Sequence, residues 1–283
     1  MSQVTPNMIK ELRERTGVGV GKCKEALEEA KGDMDLAISN LRKAGAATAV
    51  KKQGRETNEG AIAVSENDKR IAVVEVNAET DFVAKNEAFI KFLEEIAKEA
   101  AETNPASLEQ FVEQKFSKDP SHTIEQYRTT IVQKIGENIQ IRRLHIIPKA
   151  NDRSVGAYSH MGGKIVTIVE ISGSPDEVNL AKDIAMHTAA AAPEYLSPEK
   201  VPSDILDHER DIAKSQVQNK PAEIVNKIVD GKLKAFYDSA CLLCQKYIRD
   251  DTMTISELVN QKSKSTGRSL EVSDFIRWVV GQK

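Results

Sequence analysis

Apolar residues recur at helical spacing through the first fifty positions. Met8 and Leu12 lie one turn apart, and Cys23, Ala26, Leu27 and Ala30 share a second face. Thr5-Pro6 reads as an N-cap followed by proline at the first helical position. Gly32 closes the second helix, and Asp33 opens a third that carries Leu36, Ala37, Ile38 and Leu41. Three short helices around one core are predicted. Residues 44–59 then turn from Ala-rich to polar, with Lys51, Lys52 and Arg55 close together, the pattern of a fraying helix end running into a solvated linker.

The period next shortens from helical to alternating. Ala61 to Val64 and Ile71 to Val76 predict a hairpin about Asn67-Asp68. A helix from Asn86 buries Phe89, Leu93, Ile96, Ala97 and Ala100. Helical stretches follow over 107–116 and 123–135, where Gly136 stops the second, and 139–147 alternates as a strand. A second hairpin, 154–158 with 165–171, turns through His160-Met161-Gly162-Gly163. The helix opened by Ser174-Pro175-Asp176 runs through Ala181, Ile184, Ala185 and Ala189. Strand, turn, strand, helix thus occurs twice, with no strong residue identity between the copies. Beyond Pro193, Pro198 and Pro202, helices are predicted over 203–218 and 222–248, with a turn at Asn219-Lys220-Pro221. Their narrow stripes (Ile205, Ile212 and Val217; Ile224, Ile228 and Leu233) suit a protruding antiparallel hairpin. A last helix (255–264) and strand (270–280) close the chain.

Composition narrows the function. The 283 residues suffice for about two domains. Forty basic residues against 43 acidic ones give a net charge of −3, without the basic excess that direct nucleic-acid binding needs. No apolar run is long enough to span a bilayer, so no membrane role is expected. The first residues lack the apolar stretch of a signal peptide, and three cysteines cannot all pair within one chain. Together these point to the cytoplasm.

Candidate chemistry is sparse. Gly17-Val18-Gly19-Val20-Gly21-Lys22 fails as a phosphate-binding loop. Thr16 stands where the first Gly is required, Cys23 where Ser or Thr is required, and no strand precedes it; an interhelix turn is expected instead. Cys241-Leu242-Leu243-Cys244 has redox or metal spacing but no second ligand pair, and lies in a predicted apolar helix, so inert thiols are expected. The five histidines are dispersed; Asp183 and His187 could bond across one helix turn, although a structural histidine is the simpler expectation. No metal site, cofactor or covalent chemistry is implied. Thr80-Asp81-Phe82-Val83 lies at a strand-to-helix junction, where the spacing alone favours a helix cap on Thr80 or Asp81 with Phe82 stapling the helix down.

Several motifs occur together and in order: Leu12-Arg13, Arg15-Thr16-Gly17, Cys23 to Leu27, Gly32-Asp33, Thr80 to Asn86, Ile135 to Ile139, Arg142-Arg143 and Ile184 to His187. The whole chain resembles the bacterial translation elongation factor Ts family. That resemblance implies a guanine-nucleotide exchange factor, not an enzyme, whose partner is elongation factor Tu in its GDP-bound and nucleotide-free forms. It implies that Thr80, Asp81, Phe82 and Val83 intrude on the partner and dislocate its Mg²⁺ site. Arg13, Val20, Gly21 and His160 fall at further contact positions; Val20-Gly21 is smaller than the bulky apolar pair of some members. The expected fold is α+β. Residues 1–50 form a module of the ubiquitin-associated type, 51–59 a linker, and 60–148 and 149–196 with 249–283 two antiparallel sheet-plus-helix subdomains. The antiparallel hairpin, 197–248, is a candidate for homodimer contacts. Two other functions compete: an adaptor that only docks partners, which leaves the chain beyond residue 50 idle, and a redox enzyme built on Cys241 and Cys244.

Overall fold

The computed structural model describes residues 4–217 and 221–282, so the turn predicted at Asn219-Lys220 lies outside the described residues. Helix and strand alternate as an α+β chain that divides into two compact units: residues 1–148, 162–164 and 279–283, and residues 149–161 and 165–278.

The first unit opens with α1 (Pro6–Thr16), α2 (Val20–Glu29) and α3 (Met34–Lys52). The Thr5 side chain caps α1 by accepting from the Met8 N–H, and the Asp33 carboxylate caps α3 by accepting from Leu36. Leu12, Val18, Cys23, Ala26, Leu27, Ala30, Ala37 and Leu41 make the module's core, while Leu36, expected with them, is exposed. The glycine cluster is the interhelix turn: Gly17 sits at φ 67, a left-handed conformation that side chains disfavour, and its N–H closes α1 on the Arg13 carbonyl at 2.7 Å. Helix α3 departs from expectation. It is not short and does not fray at residue 44 but runs on to Lys52, because its second half has a partner. Ala49 joins the next core, and Gly45 lies against Gln133.

That next core is a sheet covered by helices. β1 (Glu59–Glu66) and β2 (Arg70–Ala78) form the predicted hairpin, and β5 (Ile139–Pro148) pairs antiparallel with β2. The short α4 (Asp81–Ala84) follows β2, and α5 (Glu87–Thr103) buries Phe89, Phe92, Leu93 and Ile96. The helix expected over 107–116 is α6 (Leu108–Glu113) alone. Lys115–Phe116 is instead β3, paired with β4 (Asp119–Thr123). The reason is a polar clasp: Glu99 of α5 accepts from the Ser117 N–H at 3.0 Å and its hydroxyl at 2.6 Å, drawing the chain out of helix. α7 (Ile124–Ile135) then starts in a full capping box on Thr123 and Gln126.

The second unit repeats this plan. β6 (Arg153–His160), β7 (Ile165–Ser172) and β10 (Glu271–Val279) give the order β10-β7-β6, and α8 (Val178–Ala191) lies flush on β6. A Cβ at Gly156 would stand 2.3 Å from the Lys182 nitrogen, so only glycine admits the helix there. α9 (Ser203–Ser215) and α10 (Ala222–Ala240) meet through Ala213, Val229 and Leu233, with Val225 and Tyr237. Ile212 and Ile224, placed in the apolar stripes from sequence, are exposed; the seam runs one residue round each helix from them. α10 also stops at Ala240, not Ile248. Leu242 N–H and Leu243 N–H donate to the carbonyls of Tyr195 and Leu196, which pulls the backbone extended. β8 (Lys246–Tyr247), β9 (Asp250–Thr254) and α11 (Ile255–Thr266) complete the unit.

The copies share residues after all. Gln114-Lys115-Phe116 with Asp119, Thr123 and Ile124 recurs as Gln245-Lys246-Tyr247 with Asp250, Thr254 and Ile255, in the same strand register and the same capping box. In the second copy His187 takes the place of Glu99. Its Nδ1 accepts from the Ile248 N–H at 3.3 Å, and Nε2 lies 3.0 Å from Gln245 Oε1. Asp183, the sequence-suggested partner of His187, pairs instead with Arg249 at 2.9 Å. Burial lowers the His187 pKa below its ordinary 6.5, so the unfolded chain takes up the proton first on acidification. The stability His187 contributes is therefore complete above the unfolded value and is lost as pH falls toward the folded one. Melting temperature is expected to drop on acidification through pH 6.5, and to drop less in His187→Gln; equal slopes would dismiss the assignment.

Candidate functional site

The strand-to-helix junction after β2 is built from its ends inward. Thr80 is extended (φ −128, ψ 156) and its hydroxyl caps α4 by accepting from the Val83 N–H at 3.5 Å. The Asn86 side chain caps α5 by accepting from Ala88 at 2.9 Å. Between these caps Val83 and Ala84 turn inward and are buried in the core. One turn of helix cannot bury every side chain, and Phe82 faces solvent with 80% of its surface exposed. The stapling arrangement is therefore absent: the aromatic ring adds nothing to the core of the free chain.

Asp81, beside it, is half-buried and hydrogen-bonds Lys85 at 2.8 Å. The Lys85 bond is the main reason its carboxyl is held below the usual range, and the Lys164 charge works in the same direction. Lys85 is raised in turn, chiefly by Asp81.

The segment after α7 grips this loop, a role that sequence reading did not assign to it. Glu137 accepts from the Thr80 N–H at 3.0 Å and from its hydroxyl at 2.8 Å. Glu79 in return accepts from the Asn138 N–H at 2.6 Å. Asn138 is fully buried and donates through its side chain to the Arg55 carbonyl at 2.9 Å. The sequence carried a signal, since Gly136-Glu137-Asn138 stood out as a motif, but nothing in it shows two stretches some sixty positions apart meeting residue for residue.

The other candidates stand elsewhere. Arg13 is exposed on α1. Val20, 51% exposed, and Gly21 open α2, where a Cβ on Gly21 would meet nothing within 4 Å. His160 ends β6 in the second unit, exposed, with its Nδ1 3.2 Å from the Tyr158 hydroxyl; Met161, at the adjoining turn, is 71% exposed. Thr80 to Val83 are consecutive in one loop, whereas Arg13, Val20 and Gly21 lie on the three-helix module and His160 lies in the second unit.

Cys241 precedes and Cys244 ends a single 3₁₀ turn, Leu242–Cys244, rather than lying in a helix interior. Burial pushes the Cys241 thiol up to about 12, with the neighbouring Cys244 adding to the shift, and burial also raises Cys244. Neither holds a useful thiolate fraction near neutrality. The activity that the family resemblance implies is expected to survive in the Cys241→Ala/Cys244→Ala chain, with at most a packing loss in stability; loss of GDP release in the folded variant would return these thiols to the mechanism. Among the described residues no group of three or more His, Cys, Asp and Glu could hold a metal ion, and no helix is long and apolar enough to cross a membrane.

The chain is thus an α+β protein with a duplicated sheet-and-helix core and a clasped loop that carries an exposed aromatic ring. Residues 79–282 match the family described as Elongation factor TS. Elongation factor Ts of Protochlamydia amoebophila is 66% identical over 282 residues, covering all of both chains. Elongation factor Ts of Chlamydia muridarum is 44% identical, and that of Chlamydia trachomatis serovar L2 45%, each over 281 residues, 99% of this chain and 100% of the relative. The chain belongs to the elongation factor Ts family, the guanine-nucleotide exchange factors of protein synthesis.

Proposed function

We propose that this chain binds elongation factor Tu in its GDP complex and inserts the Thr80–Val83 loop beside the nucleotide, disturbing the Mg²⁺ and phosphate site until GDP leaves. The observation that carries this is Phe82: a large apolar ring, 80% exposed, on a loop whose other apolar residues are buried and whose backbone is capped at both ends. Mg²⁺ and backbone N–H groups neutralise the phosphates of bound GDP. A factor that prefers the nucleotide-free partner weakens nucleotide binding by the same ratio, so contact energy alone accomplishes release and no covalent step is needed. Burying the ring in a partner cleft contributes about 2–3 kcal/mol toward the distortion. The ionised Asp81 carries negative charge toward the same phosphate region, where it competes for the cation.

Arg13, Val20 and Gly21 on the three-helix module, and His160 on the second unit, supply further contacts in this scheme. Homodimerisation through α9 and α10 would cover the exposed Ile212 and Ile224. The proposed setting is the cytoplasm, without direct contact to nucleic acid or membrane.

The test is a timed release of fluorescent GDP from purified elongation factor Tu, with unlabelled nucleotide in excess, in the presence and absence of this chain. Acceleration is expected, rising with the concentration of the chain to a plateau. An unchanged release rate refutes the proposal.

A further inference from the structure

The loop that carries Phe82 is short, and its own hydrogen bonds are few. Its position is fixed from outside, by two carboxylates that cross. Glu79 and Glu137 each precede the residue whose backbone N–H the other one binds: Glu137 holds Thr80, and Glu79 holds Asn138. The arrangement reaches further, to the end of α3. Arg55 Nη1 lies 3.3 Å from both Glu79 oxygens, and the Arg55 carbonyl accepts from the Asn138 side chain. Lys52 Nζ donates to the Gly136 carbonyl, and Gln140 Nε2 to the Gln53 carbonyl at 3.3 Å. What the sequence presents as a linker is stitched to the segment that grips the loop.

We propose that Glu137 is a positioning residue for the Thr80–Val83 loop, and that Arg55 extends its clasp to the end of α3. The proposal rests on the exchange function above. Glu137 touches neither Phe82 nor the partner's nucleotide in this scheme; it acts through Thr80. A carboxylate suits the task because it accepts from the Thr80 amide and hydroxyl at once, with one oxygen each. Fixing the residue before Asp81 fixes the direction in which α4 leaves the sheet, and so the direction of the Phe82 ring. A loop released from the clasp still docks but presents the ring correctly only part of the time. The loss therefore falls on the plateau rate of GDP release rather than on the concentration of half-saturation.

The experiment compares the full-length chain with Glu137→Ala, Glu137→Gln and Arg55→Ala. GDP release from elongation factor Tu is titrated to its plateau, and backbone amide exchange at Thr80 and Asn138 is followed in the free chain. Glu137→Ala is expected to lose protection at Thr80 and to lower the plateau roughly tenfold, the scale of one hydrogen bond to a charged group, with half-saturation little changed. Glu137→Gln keeps one acceptor and should recover part of both. It also serves if the alanine variant folds poorly. Arg55→Ala should loosen Asn138 and lower the plateau less. A folded Glu137→Ala or Glu137→Gln chain with the parent plateau rate overturns the proposal, as does a defect that appears only in half-saturation. A parent chain that fails to accelerate release removes the exchange function and the positioning role together. Acceleration by the parent with unimpaired Glu137 variants removes the positioning role alone.

Discussion

Phe82→Ala is expected to melt at the temperature of the parent chain and to release GDP from elongation factor Tu roughly 30- to 150-fold more slowly. The two halves of this result have separate causes. With the ring 80% exposed, the fold has little apolar burial to lose there, and Val83 and Ala84 continue to anchor α4. The partner has more to lose. Transfer of a phenyl ring from water to an apolar cleft is worth about 2–3 kcal/mol, which gives that fold-change if all of it acts on the transition state for release. Melting temperature and release rate must be read on the same preparation. A folded variant with the parent release rate would take Phe82 out of the mechanism. A variant that melts early would mean that the ring stabilises the chain in solution in a way its exposure contradicts.

Ten residues on, Phe92→Ala should do the reverse. Phe92 is fully buried on α5 and meets Tyr127 edge to face, with centroids 5.0 Å apart and planes at 78°. Tyr127 in turn stacks on Phe116 at 5.0 Å and donates to Glu95 at 2.6 Å, so the cavity would open beneath a coupled group of rings. Truncating a buried phenyl costs about 3–5 kcal/mol, a large part of the 5–15 kcal/mol or so that holds a typical domain together. Urea unfolding should show the unfolding free energy lowered by that amount and the midpoint lowered by that amount divided by m, while the molecules that remain folded release GDP at nearly the parent rate. A loss below about 1 kcal/mol would show that the core collapses into the space. A specific loss of exchange at full stability would show that this helix does more than support the loop.

The contrast between these two phenylalanines marks how far the sequence could be read. Phe89, Leu93 and Ile96 announce the buried face of α5 by helical period, as both hairpins do by alternation, whereas Phe92 is added to that face only by the structure. Those signals are local, and they placed α5, β1, β2, β6 and β7 correctly. Phe82 sits where the period breaks. A stapled ring and an exposed one use the same residues, and only the inward turn of Val83 and Ala84 shows that Phe82 is not stapled. The ends of α6 and α10 were misjudged for a related reason. Lys115–Phe116 and Lys246–Tyr247 have the composition of helix termini, and distant partners, Glu99 in one copy and His187 in the other, hold the residue that follows, Ser117 or Ile248, in the turn of a short hairpin. Comparison of the two stretches with each other would have exposed the shared Gln-Lys-aromatic pattern, because a motif that recurs in one chain needs no period to be seen. The extension of α3 escaped notice too, since an Ala-rich stretch reads as fraying until Gln133 is known to lie against it.

Duplication also gives the chain an internal control of its own anatomy. In the first copy residues 79–86 lead from the sheet to its helix and include α4; in the second, residues 173–177 make the same passage without one. In the second copy α9 and α10 occupy the stretch between α8 and β8, where the first has only the short α6 between α5 and β3. Each copy is therefore the blank for the other's elaboration. The frame of the second copy closes without a helix at that junction and the frame of the first closes without the long helices, although Val83 and Ala84 do join the first copy's core. A scaffold of this kind can change what it presents at one junction without renegotiating its core, and an engineer seeking a new docking loop has two sockets of known geometry to choose from.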